Sequence, residues 1–91
     1  MFVVIGYDCS DDKRRLRLSK VLLDYGYRVQ YSLFEAELPR KEFDEMLKRI
    51  KKIVDDSGDS VRIYHICATC LGQTDLLEQA KLSCREKVFI V

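Results

Sequence analysis

The chain opens on Phe2-Val3-Val4-Ile5, an apolar run without alternation that continues through Gly6 and Tyr7 to the first acid, Asp8. An unbroken β-rich run of this kind fits a strand covered on at least one face. Ser10 is placed to cap a following helix by accepting a free backbone N–H, and Asp11 and Asp12 suit the positive end of its dipole. Leu18, Val21, Leu22 and Tyr25 recur at i, i+3, i+4 and i+7, which predicts one buried helical stripe, and Gly26 stops the helix. From Tyr27 to Leu38 the period falls to two. Tyr27, Val29, Tyr31 and Leu33 share one side; Arg28, Gln30, Ser32 and Phe34 share the other. Twelve residues is long for one strand, so a bend or two short strands around Ser32 is expected.

Pro39 fits the first turn of a second helix, whose stripe is Phe43, Met46, Leu47, Ile50, Ile53 and Val54. Asp44–Lys48 and Glu45–Arg49 are i, i+4 pairs on its wet side. Asp55-Asp56-Ser57-Gly58 terminates it. Ser60 to Cys67 reads as a strand with Val61, Ile63 and His65 on one face and Arg62, Tyr64 and Ile66 on the other. A long connection follows, in which Thr74 to Ser83 has the makings of a short helix, and Lys87 to Val91 closes the chain as a further strand. The order predicts a single α+β domain over residues 1–91: a ferredoxin-like βαββαβ sandwich, both helices on one face of an antiparallel sheet, with an extra C-terminal strand.

Composition narrows the function classes. In 91 residues, 47% hydrophobic content with one Pro and four Gly excludes a disordered tail or a collagen-like repeat. Sixteen basic against fifteen acidic residues leave a net charge of +1, so nucleic-acid or membrane binding must come from a local patch. The apolar run from Phe2 to Ile5 is far too short for a signal-peptide core or a membrane span, so a cytoplasmic protein is expected. Four cysteines include a Cys-x-x-Cys at Cys67 and Cys70, with His65 nearby and Cys9 and Cys84 distant. No second close pair completes a zinc ribbon, so reduced thiols without a structural metal are expected.

Tyr7 to Arg17 is the densest polar stretch. Four of the five residues from Lys13 to Arg17 are basic, in the first turns of a helix, where the dipole disfavours cations. Two readings follow: Arg14, Arg15 and Arg17 contact phosphate, or Asp11 and Asp12 neutralise a solvated face. Asp8 ends a strand at the sheet rim. One carboxylate is a poor Mg²⁺ site, whereas two copies across a two-fold axis would bind the ion well; the plainer alternative is an Asp that completes a turn. Arg28 and Phe34 on one face suit phosphate and base stacking, although an aromatic there is more often core or dimer interface. His65, in an apolar strand, is more often packing than a base.

Val4-Ile5-Gly6-Tyr7-Asp8, then Ser10 to Arg15, Tyr25-Gly26, Arg28 to Glu35 and Asp59 to Tyr64 together resemble the CRISPR-associated protein Cas2 family, over roughly Met1 to Cys67. The resemblance implies a homodimer whose C-terminal strand packs on the partner's sheet. It implies a role in spacer acquisition, the dimer bridging copies of the integrase Cas1 and holding a DNA duplex. It also implies metal-dependent (Mg²⁺ or Mn²⁺) endonuclease activity on single-stranded RNA or double-stranded DNA. By motif, Asp8 carries over as the metal-ligating acid, and Tyr7, Arg15, Arg17, Arg28 and Phe34 as active-site neighbours. The pattern departs after Cys67. Two functions compete on this reading: an Asp8-dependent nuclease, and a non-catalytic scaffold for DNA and integrase. An unrelated small-molecule regulatory domain of the same fold stands behind both.

Overall fold

The computed structural model describes residues 1–77, which run β1 (Phe2–Asp8), α1 (Asp12–Leu23), β2 (Tyr27–Gln30), β3 (Leu33–Glu37), α2 (Arg40–Lys51), β4 (Ser60–Ile66) and α3 (Ala68–Gly72). The strands form one sheet in the order β2-β3-β1-β4, every neighbouring pair antiparallel. Each of α1 and α2 therefore carries the chain over one intervening strand, α1 from β1 past β3 to β2 and α2 from β3 past β1 to β4. This is the expected ferredoxin-like βαββαβ arrangement. The final strand expected at Lys87–Val91 and residues 78–83 of the helix expected from Thr74 lie outside the described residues; Thr74 to Leu77 are not helical. The connection after Cys67 opens instead with the short helix α3.

One core lies between the sheet and the first two helices. Val3, Ile5, Phe34 and Ala36 from the sheet pack with Leu18, Val21 and Leu22 of α1 and Phe43, Met46 and Ile50 of α2. The residues of opposite parity on β1 face away from the helices. Among the described residues that open face is covered only at one end, where Leu71 of α3 is buried against Phe2, with Val4, Ile66 and Leu76 around the contact.

Several local expectations shift. Asp11, not Ser10, caps α1: it stays extended and its Oδ2 accepts the Arg14 N–H at 2.9 Å. Gly26 does not end α1, which stops at Leu23 with Asp24 as its cap. Its φ is negative, and what it supplies is room, because a Cβ there would stand 2.2 Å from the Glu35 carbonyl oxygen. Pro39 sits one residue earlier than expected, at the cap of α2. Asp44 pairs with Arg40 (3.3 Å) rather than Lys48, and Arg49 turns from Glu45 to Asp24 (2.9 Å) and the Tyr25 hydroxyl (3.3 Å), tying the two helices together.

The long period-two segment does divide, at a tight turn over Tyr31 and Ser32. Arg28 pairs with Phe34 but Gln30 with Leu33, so Val29 is an extra residue in β2, a bulge. The bulge moves Gln30 off the Arg28–Phe34 face and onto the open face beside Leu33. Tyr31, 89% exposed at the tip, takes a positive φ of 38°.

Candidate functional site

β1 delivers Asp8 to its final position, opposite Ser60 of β4. Side chains alternate along a strand, so Asp8 shares the open face with Gly6, Val4 and Phe2, while Tyr7 turns to the helices and packs against the core. Asp8 is exposed. It lines a shallow groove of about 430 Å³ with Gly6, Tyr7, Gln30, Ser32, Leu33, Ser60, Arg62 and Tyr64. Arg62, across from Gly6, gives that face a cation beside the carboxylate. Sequence reading missed Arg62, Gln30 and Ser60 as site residues. The parity of Arg62 was legible and that of Gln30 was misread, because membership of the groove depends on the β1–β4 register and on the Val29 bulge.

The corner that follows Asp8 is fixed by ion pairing. Arg14 donates from Nε to Asp59 Oδ2 at 2.8 Å and from Nη2 to Oδ1 at 3.2 Å, and Asp59 also accepts the Asp55 N–H at 2.9 Å. The Asp59 side chain is fully enclosed (0% exposed). The Arg14 guanidinium, with the Asp55 N–H behind it, holds the Asp59 carboxyl down at about 2, and Asp59 in turn raises Arg14. Asp59 directly precedes the register partner of Asp8, so the pair locks the start of α1 to the start of β4. Asp59 was legible only as an acid at the head of a strand.

The other candidates separate into two groups. Arg15 reaches back to the Cys9 carbonyl oxygen at 3.2 Å and pairs with Asp12, which sets it at the rim next to Asp8. Arg17 is exposed on α1, with no ion pair among the described residues. Arg14, by contrast, is committed to Asp59. Tyr7, Phe34 and Arg28 form a stack on the covered side of the sheet: the Tyr7 and Phe34 rings lie 6.1 Å apart, and the Arg28 guanidinium lies 5.2 Å over Phe34. Arg28 also donates to Ser19 Oγ of α1. Phe34 is 0% exposed and offers no face to a base; it is core, supporting the strand behind Leu33. His65 is exposed at the surface and meets the edge of Phe43 at 5.2 Å.

Comparison with known proteins finds a family match over most of the chain. The profile of the family described as CRISPR associated protein Cas2 matches residues 1–74. The chain is 50% identical over 66 residues to the "CRISPR-associated endoribonuclease Cas2 3" of Chloroflexus aurantiacus, covering 72% of this chain and 71% of that protein. Among solved structures it resembles Streptococcus pyogenes Cas2, with a TM-score of 0.74, 31% identity, and coverage of 86% of this chain and 100% of that one. It also resembles a chain of a partial Cas6-RT-Cas1–Cas2 complex, with a TM-score of 0.64, 26% identity, and coverage of 81% and 87%.

Proposed function

The chain belongs to the CRISPR-associated protein Cas2 family, and from that premise we propose that it serves CRISPR adaptation as a homodimer whose paired Asp8 carboxylates form a Mg²⁺- or Mn²⁺-dependent centre for hydrolysing phosphodiester bonds of RNA or DNA. The observation that carries this reading is the place of Asp8: exposed on the sheet face opposite the helices α1 and α2, beside Arg62, in a groove between β4 and the β2–β3 turn. Several large apolar side chains in the strands lie exposed, among them Tyr27, Val29 and Tyr64. A sheet is stable when both faces are covered or one is solvated by polar groups, and a second copy would bury this face. A two-fold axis near the end of β1 would then bring two Asp8 side chains together.

The residues fit a divalent ion only in that paired form. Among the described residues no group of three His, Cys, Asp or Glu side chains stands together. Mg²⁺ is commonly held by one or two carboxylates with water and phosphate oxygens, which one Asp8 from each copy supplies. The chemistry such an ion provides there is Lewis-acid polarisation of the phosphodiester and activation of water. The protein's own part is to fix the two carboxylates through the β1–β4 register, to present Arg62 to a phosphate on the same face, and to guide the backbone in along Arg15 and Arg17.

Asp8→Asn keeps size and shape while removing the charge. Fold by circular dichroism and oligomeric state by light scattering should survive, and Mg²⁺- or Mn²⁺-dependent cleavage of single-stranded RNA and duplex DNA should be lost. Cleavage at the wild-type rate by Asp8→Asn would eliminate the mechanism. The second reading, a scaffold without chemistry, draws on the likeness to a chain from a complex that contains Cas1. Wild-type protein that never cuts with either metal, yet binds duplex and a Cas1 integrase and supports spacer acquisition equally as Asp8→Asn, would establish that reading instead.

A further inference from the structure

Cys67 and Cys70 lie at the opposite end of the sheet from the Asp8 groove. β4 runs antiparallel to β1, and Ile66 is paired with Phe2, six residues or roughly 20 Å along the strand from Asp8. Both cysteines are free and exposed, whereas Cys9 is buried. The chain turns tightly between them. Cys67 is extended (φ −71°, ψ 164°), and its Sγ accepts the Cys70 backbone N–H at 3.4 Å. That contact puts the Cys67 sulfur against the backbone of Cys70 itself. A sulfur held against the backbone three residues on, with both thiols free and exposed on one turn, places the pair within the short reach that a disulfide requires. No third His, Cys, Asp or Glu joins them into a metal site among the described residues.

From this juxtaposition we propose that Cys67 and Cys70 are a redox-active dithiol that exchanges reversibly with disulfides, Cys67 attacking and Cys70 resolving. The environments of the two sulfurs set that order. The Cys70 N–H, with the Cys70 thiol, holds the Cys67 thiol below its usual range, and the Cys67 sulfur pushes Cys70 up. The thiolate is the nucleophile. Cys67 attacks one sulfur of an external disulfide RS–SR, forming Cys67–S–SR and releasing RS⁻, which takes a proton from solvent. Cys70 then loses its proton and attacks the Cys67 sulfur, closing the Cys67–Cys70 bond and expelling the second RS⁻. Two protein thiols are oxidised and one disulfide is reduced to two thiols. The site is independent of Asp8 and of the nuclease reading.

The test uses the full chain equilibrated in mixtures of reduced and oxidised glutathione, quenched with acid, alkylated and digested with trypsin. Residues 63–81 form one tryptic peptide holding both cysteines, and Cys84 falls on another. The expected product is that peptide lighter by two hydrogens, rising with the oxidised fraction and fully reversed by reductant. Cys70→Ser should trap glutathione on Cys67, and Cys67→Ser should lose that adduct. Absence of the internal disulfide at every ratio would overturn the proposal. So would equal glutathione adducts in both variants, a disulfide joining Cys67 to the Cys84 peptide, or stoichiometric zinc that protects the thiols in freshly purified protein.

Discussion

Gly26→Ala is the substitution whose outcome the backbone of β3 decides most directly. Gly26 has no positive φ, so on conformational grounds alone an alanine there should be accommodated and should lower the entropy of the unfolded chain, a gain of about 0.4–1 kcal/mol. Space says otherwise. A Cβ at Gly26 would lie 2.2 Å from the Glu35 carbonyl oxygen, 2.7 Å from the Ala36 Cβ and 3.0 Å from the Ala36 Cα. Carbon and carbonyl oxygen approach comfortably at about 3.3 Å, so the segment before β2 and the middle of β3 must part by about 1 Å. β3 is hydrogen-bonded to β1 on one side and β2 on the other, and Ala36 and Phe34 beside the contact are fully buried. Overpacking of this kind costs about 1–3 kcal/mol, enough to outweigh the entropic gain. For a domain of this size each kcal/mol lowers the melting temperature by about 4–8 °C. Gly58→Ala is the matched control: nothing lies within 4 Å of its Cβ and its φ is not positive. It should be neutral or stabilising by up to about 1 kcal/mol. Urea unfolding of both variants at one fixed protein concentration, with unchanged m, gives the comparison. A Gly26→Ala midpoint at or above wild type, or a shift of the same sign and size in both variants, would refute the close-approach argument.

Two further outcomes concern charged side chains. Asp59 titrates at about 2 when folded against 3.8 in the unfolded chain, so the stability it contributes is fully present above about pH 4 and is lost as pH falls through 2. Asp59→Asn should therefore be less stable than wild type at neutral pH, and the gap in urea midpoint should narrow between pH 4 and pH 2; a constant gap would disprove the linkage. Replacing Arg15 and Arg17 together by Ala should flatten the salt dependence of duplex binding, the slope of log K against log salt falling by about 0.9 for each phosphate contact removed. An unchanged slope would move the phosphate surface elsewhere.

The elements legible in the sequence were those whose pattern is set locally. The stripe of Leu18, Val21 and Leu22 and that of Phe43, Met46 and Ile50 each name a buried face without reference to anything else, and both are core. Strand order followed from the alternation of strands and helices, which leaves the chain few ways to cover a sheet. Features settled by pairing were not legible. The Val29 bulge exists because β2 slips against β3, and nothing in alternating Arg28-Val29-Gln30 signals the slip. The facing of Asp8 was hidden for a related reason. The run from Phe2 to Ile5 is apolar at every position, so its parity is invisible, and closeness in sequence to the Arg-rich start of α1 reads as closeness in space. Arg14 reads as a free cation because its partner, Asp59, is 45 residues away.

Asp8 and the arginines of α1 in fact belong to opposite sides of the sheet, joined at one rim. Asp8 lies on the face that a second copy would cover, while α1 packs on the other face. Between them stand the Arg14–Asp59 pair and the Arg15 contact to the Cys9 carbonyl. A surface buried between two copies is a poor place to lay a long duplex, and an outer helical face is a poor place to bring two carboxylates together. On the proposed function, holding nucleic acid and cutting it would therefore fall to different surfaces of the same small domain. The two losses should then be separable: Asp8→Asn removes cleavage and leaves the salt slope of duplex binding intact, whereas the Arg15 and Arg17 double replacement flattens the slope and spares the carboxylate pair. If Asp8→Asn instead flattened the slope as the arginine replacements do, the phosphates counted in that slope would lie on the open face beside Asp8 and Arg62, and the division between the two surfaces would fail.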